Sequence, residues 1–176
     1  MRIRTRLLIA IGCGVAVLAT GACSRRRSTA TSTEGAKLAT GGARAILAAH
    51  SSRCLSCAEA RCGQFLDMCS TLQGQAERGA AKGTPKSELC LKTVECSTRS
   101  KCADGESVEH CYCGSAPGEE CLSGKANGVC KSQIEAALET TEPMGVSSTF
   151  LDHTKGGGPA LELMNCLGEK KCRSCF

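Results

Sequence analysis

Residues 54–72, CLSCAEARCGQFLDMCSTL, decide what kind of fold this chain adopts. At 100° per residue, Cys54, Ala58, Cys62, Phe65, Cys69 and Leu72 fall on one stripe, which predicts a single amphipathic helix. Three cysteines on the apolar stripe make it a helix built for cross-linking to its neighbours.

Reading outward, the same signals recur. Thr84-Pro85 offers an N-cap with proline in the first turn, opening a helix through Leu89, Cys90, Val94 and Cys96. The polar, glycine-containing run 74–83, GQAERGAAKG, connects the two. Asn127 is the expected cap of a third helix that buries Cys130, Ile134, Ala137, Leu138 and Thr141 until Pro143 stops it. A fourth starts near Pro159, buries Ala160, Leu163, Met164 and Leu167, and ends at Gly168. Between them, residues 142–158 read as a long loop with one short extended piece at Thr149 to Leu151. Cys-Leu recurs at 54, 90, 121 and 166, but unequal intervals argue against a repeat.

The core is thin. From Thr40 onward there are twenty-one Ile, Leu, Val and Phe in 137 residues, about 15 per cent, below the level at which apolar burial alone sustains a fold. Cysteine compensates. Cys54, Cys57, Cys62, Cys69, Cys90, Cys96, Cys102, Cys111, Cys113, Cys121, Cys130, Cys166, Cys172 and Cys175 occupy about one position in ten of that window, the density of disulfide scaffolds. The expected fold is mostly α: a small single domain, residues 43–176, of short helices and loops stapled by multiple disulfides.

Compartment decides what those cysteines are for. Arg2, Arg4 and Arg6 precede an apolar run from Leu7 to Ala19, followed by the small residues Thr20, Gly21 and Ala22. Thirteen apolar residues are too few to span a bilayer, and the three-part pattern is that of a secretory signal peptide over residues 1–22. Cys23 follows at once. Residues 18–23, LATGAC, resemble the lipobox of bacterial lipoproteins, whose cysteine is diacylated on sulfur and becomes the new N-terminus; Thr20 stands where a large aliphatic residue is usual. Parity agrees with lipidation of Cys23: of sixteen cysteines, Cys13 leaves with the signal, and an acylated Cys23 leaves fourteen, which close completely in pairs.

The formal net charge of +5 does not point to nucleic acid. Arg2, Arg4 and Arg6 belong to the signal and Arg25, Arg26 and Arg27 to the segment after Cys23, leaving sixteen basic against seventeen acidic residues from Ser28 onward. With one tyrosine, three phenylalanines and no tryptophan, stacking platforms for single strands are lacking as well. The triple arginine instead lies within a Debye length of the headgroups to which a lipidated Cys23 would anchor it. Residues 23–42, rich in Ser, Thr and Gly, are expected to form a flexible spacer holding the domain on the order of 25 Å from its anchor.

Candidate chemistry is sparse. Cys54-x-x-Cys57 and Cys172-x-x-Cys175 match the spacing of zinc and redox dithiols, but they lie more than a hundred residues apart, in an exported chain crowded with other cysteines. Covalent haem needs CxxCH; Cys57 is followed by Ala58 and Cys175 by Phe176. Cys54, Cys57, Cys62 and Cys69 do not have ferredoxin spacing. His50, His110 and His153 are the only histidines, and Asp152-His153 lacks a serine in a nucleophile turn. No catalytic residue, metal or cofactor is therefore expected.

In residues 110–130, HCYCGSAPGEECLSGKANGVC, an extended segment would put the side chains of Cys111 and Cys113 on one face and His110 on the other. A Cys111–Cys113 bridge across one residue would be strained, so each is expected to reach a different partner. The blocks Cys111-Tyr112-Cys113-Gly114, Cys121-Leu122-Ser123-Gly124 and Asn127-Gly128-Val129-Cys130, leading into QIEAALETT, resemble a segment of cysteine-rich exported lipoproteins of myxobacteria. The likeness runs from residue 111 to 176 and implies an envelope location and a disulfide-rich architecture, with no activity attached. The expectation is a non-catalytic, lipid-anchored protein of the bacterial envelope, in the outer membrane, whose partners are the membrane and an envelope protein or glycan. The alternative is a thiol-redox or zinc-binding protein using the CxxC pairs.

Overall fold

The structure, a computed structural model, describes residues 33–104 and 107–176, and side chains from Gly41 onward. The expected signal peptide, Cys23 and the first part of the spacer lie outside the described residues. Helix α1 (Thr33–His50) begins inside the stretch expected to be spacer, a correction that follows from its helix-favouring residues Glu34, Ala36, Lys37, Leu38 and Ala39. It breaks at Gly42, whose φ of 56° is left-handed. Ala43 and Leu47, just beyond the break, are fully buried.

Ser51 then caps α2 (Ser52–Leu66), its hydroxyl accepting from the backbone N–H groups of Arg53 and Cys54. The expected single helix over 54–72 is two. At Asp67 the chain turns into α3 (Met68–Thr71), and Arg44 pairs with the Asp67 carboxylate at the joint. Cys54, Ala58 and Cys62 face the core as expected, but Leu66 replaces Phe65, which is only half-buried. Within α2 the backbone leaves helical dihedrals at Cys62 (φ −129°), and Cys69 on α3 is bonded to Cys90.

Residues 74–85 form a tight backbone-bonded loop: Ala76 N–H donates to Thr84, Gly83 N–H to Ala76, and Lys86 N–H to Gly74. It feeds α4 (Lys86–Ser100), where Pro85 rather than Thr84 occupies the cap position. Helix α4 is central, packing on α1, α3, α7 and α9 through Leu89, Leu91 and Val94. Lys101, at φ 57°, ends it.

Short pieces follow. Helix α5 (His110–Cys113) is one helical turn, not the extended segment expected, and α6 (Gly118–Glu120) runs into a wide turn at Cys121–Lys125. Asn127 does not cap the next helix. Its side-chain oxygen accepts from the Ser115 N–H and its amide donates to the Ser115 hydroxyl, a local bond that outcompetes capping. Helix α7 (Lys131–Leu138) starts from Cys130 and stops at Glu139, which takes φ 60°. It therefore ends before Thr141, which is exposed.

Pro143 starts a helix instead of stopping one. Helix α8 (Pro143–Thr149) has the proline in its first turn, where the missing N–H costs nothing, and it replaces the expected loop and extended piece. Helix α9 (Gly157–Glu169) starts two residues earlier than expected and buries Ala160, Leu161, Leu163, Met164 and Leu167. A 3₁₀ turn at Arg173–Cys175 closes the chain. The described residues form one compact unit with no strand among them, and no described helix is long and apolar enough to cross a membrane.

Seven disulfides join all fourteen cysteines from Cys54 to Cys175. Cys54–Cys175, Cys57–Cys172 and Cys62–Cys166 lace α2 to α9 and the C-terminal turn. Cys69–Cys90 ties α3 to α4, and Cys96–Cys130 ties α4 to α7. Cys102–Cys111 and Cys113–Cys121 close small loops. Such density belongs to an oxidising compartment outside the cytoplasm.

One buried charge completes the packing. The Glu139 side chain is 1 % exposed; its Oε2 accepts from the N–H groups of Glu77 at 2.6 Å and Arg78 at 3.2 Å. Its Oε1 lies 3.2 Å from Lys155 Nζ and 3.9 Å from Lys86 Nζ, ion pairs rather than aligned hydrogen bonds. Burial pushes the carboxyl up, but the Glu77 N–H, Lys155 and the Arg78 N–H together outweigh it and hold it below its ordinary value.

Candidate functional site

Four large apolar side chains stand out into solvent among the described residues: Leu122, Val129, Met144 and Leu151. Two of them, Leu122 at 41 % exposure and Leu151 at 56 %, line one cleft of about 520 Å³. One wall is α5 and the turn that follows α6; the other is α8, Phe150 and the C-terminal half of α9. Tyr112, the Cys113–Cys121 bridge and the buried Val146 line it.

The site exists because short elements are pinned together. Gly114, at φ 62°, turns the chain out of α5. The segment 127–130 then lies along α5, with the N–H groups of Asn127, Gly128 and Cys130 donating to the carbonyls of Cys113, Tyr112 and Cys111. A β-carbon at Gly128 would collide with the backbone of Tyr112, so glycine is required for this approach. Tyr112 Oη donates to Glu135 Oε1 at 3.3 Å. Burial, then the Glu135 charge and this hydrogen bond, push the phenol up to about 12, so it remains a proton-holding fixture beneath the cleft.

Among the described residues, the charged groups lining the cleft are Glu109 and Glu169, and the hydroxyls of Ser107, Ser147 and Ser148 and the amide of Asn165 line it as well. A cleft of mixed character, with exposed leucines beside two carboxylates and uncharged donors, is suited to holding an apolar side chain next to a cation. Leu122 and Tyr112 belong to the blocks singled out in the sequence, but nothing in their spacing brings Leu151 across from them.

The other sequence candidates are placed elsewhere. The two CxxC pairs join each other in antiparallel fashion, Cys54 to Cys175 and Cys57 to Cys172, and neither closes on itself. Cys111 and Cys113 reach Cys102 and Cys121, as separate partners. His153 pairs with Glu162 at 2.9 Å on an exposed surface, while the adjacent Asp152 accepts from the N–H and hydroxyl of Thr154, which hold its carboxyl low. His50 and His110 lie apart from this pair, at the end of α1 and the start of α5. No family model, curated protein or solved structure matches the chain.

Proposed function

We propose that this protein is a lipid-anchored envelope lipoprotein whose disulfide-stapled domain binds a partner protein through the Leu122–Leu151 cleft, without catalysis. The observation that carries the reading is the completeness of pairing. Every cysteine after Cys23 is spent in a bridge, so the two left over are Cys13 in the apolar N-terminal run and Cys23 behind the small residues. An export signal accounts for the first and acylation for the second. An outer-membrane site agrees with the resemblance to exported lipoproteins. Exposed leucines favour a protein segment over a glycan as ligand, and Glu109 and Glu169 favour one carrying Lys or Arg.

Three measurements test this together. Labelled palmitate should enter the wild-type protein and be lost in Cys23→Ser, which should also leave the membrane fraction. Intact mass should rise by about 14 units on reduction, with no alkylatable thiol beforehand. A partner cross-linked to the wild-type domain in its own envelope should be lost with Leu122→Asp/Leu151→Asp, whose circular dichroism should be unchanged because both sites are exposed. Stoichiometric zinc, or free thiols at the CxxC pairs Cys54/Cys57 and Cys172/Cys175 in protein isolated from the envelope, would overturn the reading in favour of the thiol-redox or metal-binding alternative.

A further inference from the structure

At the end of α4 two disulfides touch. Cys102 Sγ, bonded to Cys111, lies 3.9 Å from Cys130 Sγ, bonded to Cys96. Cys111 and Cys130 are fully buried, whereas Cys96 and Cys102 are half-buried. An open hollow of about 580 Å³ reaches Cys102, with Lys101, His110 and Val129 in its lining, and Cys96 Sγ, outside that lining, makes an exposed contact with the Val129 carbonyl at 3.9 Å. The Ser100 hydroxyl is 3.6 Å from Cys130 Sγ, within reach of a thiolate formed there.

We propose that Cys96, Cys130, Cys102 and Cys111 form a site of thiol–disulfide exchange whose ligand class is a dithiol reductant. A thiolate of the dithiol attacks the accessible Cys96 Sγ, forming a mixed disulfide and expelling Cys130 as thiolate. That thiolate attacks Cys102 Sγ across the 3.9 Å contact, forming Cys102–Cys130 while the Cys102–Cys111 bond breaks. Cys111 leaves as thiolate and takes up a proton. The second thiol of the reductant then attacks its own sulfur in the mixed disulfide, closing the reductant's disulfide and releasing Cys96, which is also protonated. The dithiol is oxidised by two electrons, and the protein exchanges two bridges for one bridge and two thiols. Opening Cys102–Cys111 unpins α5, which carries Tyr112 and Cys113 into the cleft wall, so a reductant acting at this corner alters the binding surface.

The test is limiting dithiothreitol added to the full-length oxidised protein under native conditions, followed by N-ethylmaleimide trapping at low pH and non-reducing peptide mapping. The expected product carries a Cys102–Cys130 bridge with Cys96 and Cys111 alkylated and the other five bridges intact. In Cys102→Ser/Cys111→Ser, checked for folding by circular dichroism, the relay has no acceptor and Cys96 and Cys130 should be alkylated together. The proposal is overturned by simple opening of either bridge in the wild type without Cys102–Cys130. It is equally overturned by exchange scattered over the other ten cysteines, or by Cys102–Cys130 already present before reductant.

Discussion

At the scale of single residues, the most consequential side chain is one whose position in the sequence carries no mark. Glu139 sits in a left-handed conformation, buried, and ties the 74–85 loop to Lys86 and Lys155. Glu139→Gln removes a charge that two partly buried ammonium groups face, and should cost about 2–3 kcal/mol in chemical denaturation. The sign of its pH dependence follows from the lowered carboxyl. Its stabilisation is fully present above the ordinary carboxylate range and is lost as pH falls through the depressed folded value. The wild-type melting temperature should therefore drop below about pH 4, and the Glu139→Gln protein should show a shallower drop. Gly128 is the second such position. Gly128→Ala drives a β-carbon into the Tyr112 backbone, and a loss of about 2 kcal/mol or more is expected, read by thermal melting.

Elements were legible where one apolar face governs them. Helices α2, α4, α7 and α9 carry their cysteines and leucines at helical spacing, and burial follows that spacing. The errors lie where local backbone or side-chain geometry departs from the pattern: the irregular turn at Cys62 and the interruption at Asp67 that divide the expected single helix, Asn127 bonded to Ser115 instead of capping α7, and Pro143 opening α8. Proline and asparagine signals mark a boundary without saying on which side the helix lies. The lacing of α2 to the C-terminus makes its own prediction. Cys57–Cys172 spans 115 residues of chain, but with Cys54–Cys175 closed beside it the shortest loop it shuts is only residues 54–57 and 172–175, about eight in all. Cys57→Ser/Cys172→Ser should accordingly cost about 2–3 kcal/mol in chemical denaturation, well below the roughly 5 kcal/mol that an isolated loop of that span would imply.

Across the whole molecule, seven bridges stand in for a core that a thin supply of large apolar residues cannot complete. Full reduction with tris(2-carboxyethyl)phosphine at neutral pH should therefore abolish the cooperative thermal transition and most helical circular dichroism, and re-oxidation of the native pairing should restore both.

By itself, the sequence determined the class of the fold, the number of bridges the exported chain can close and the faces its longer helices bury, because composition and 3.6-residue spacing are local quantities. Which cysteine meets which, the Leu122–Leu151 cleft, the Glu139 cluster and the sulfur contact between two disulfides were decided only by tertiary structure. Fourteen cysteines are chemically equivalent in the sequence, and only the packing of α2, α4 and α9 brings particular pairs within bonding distance. Likewise Leu151 is one more exposed leucine until the fold brings the segment after α8 into the same cleft as Leu122.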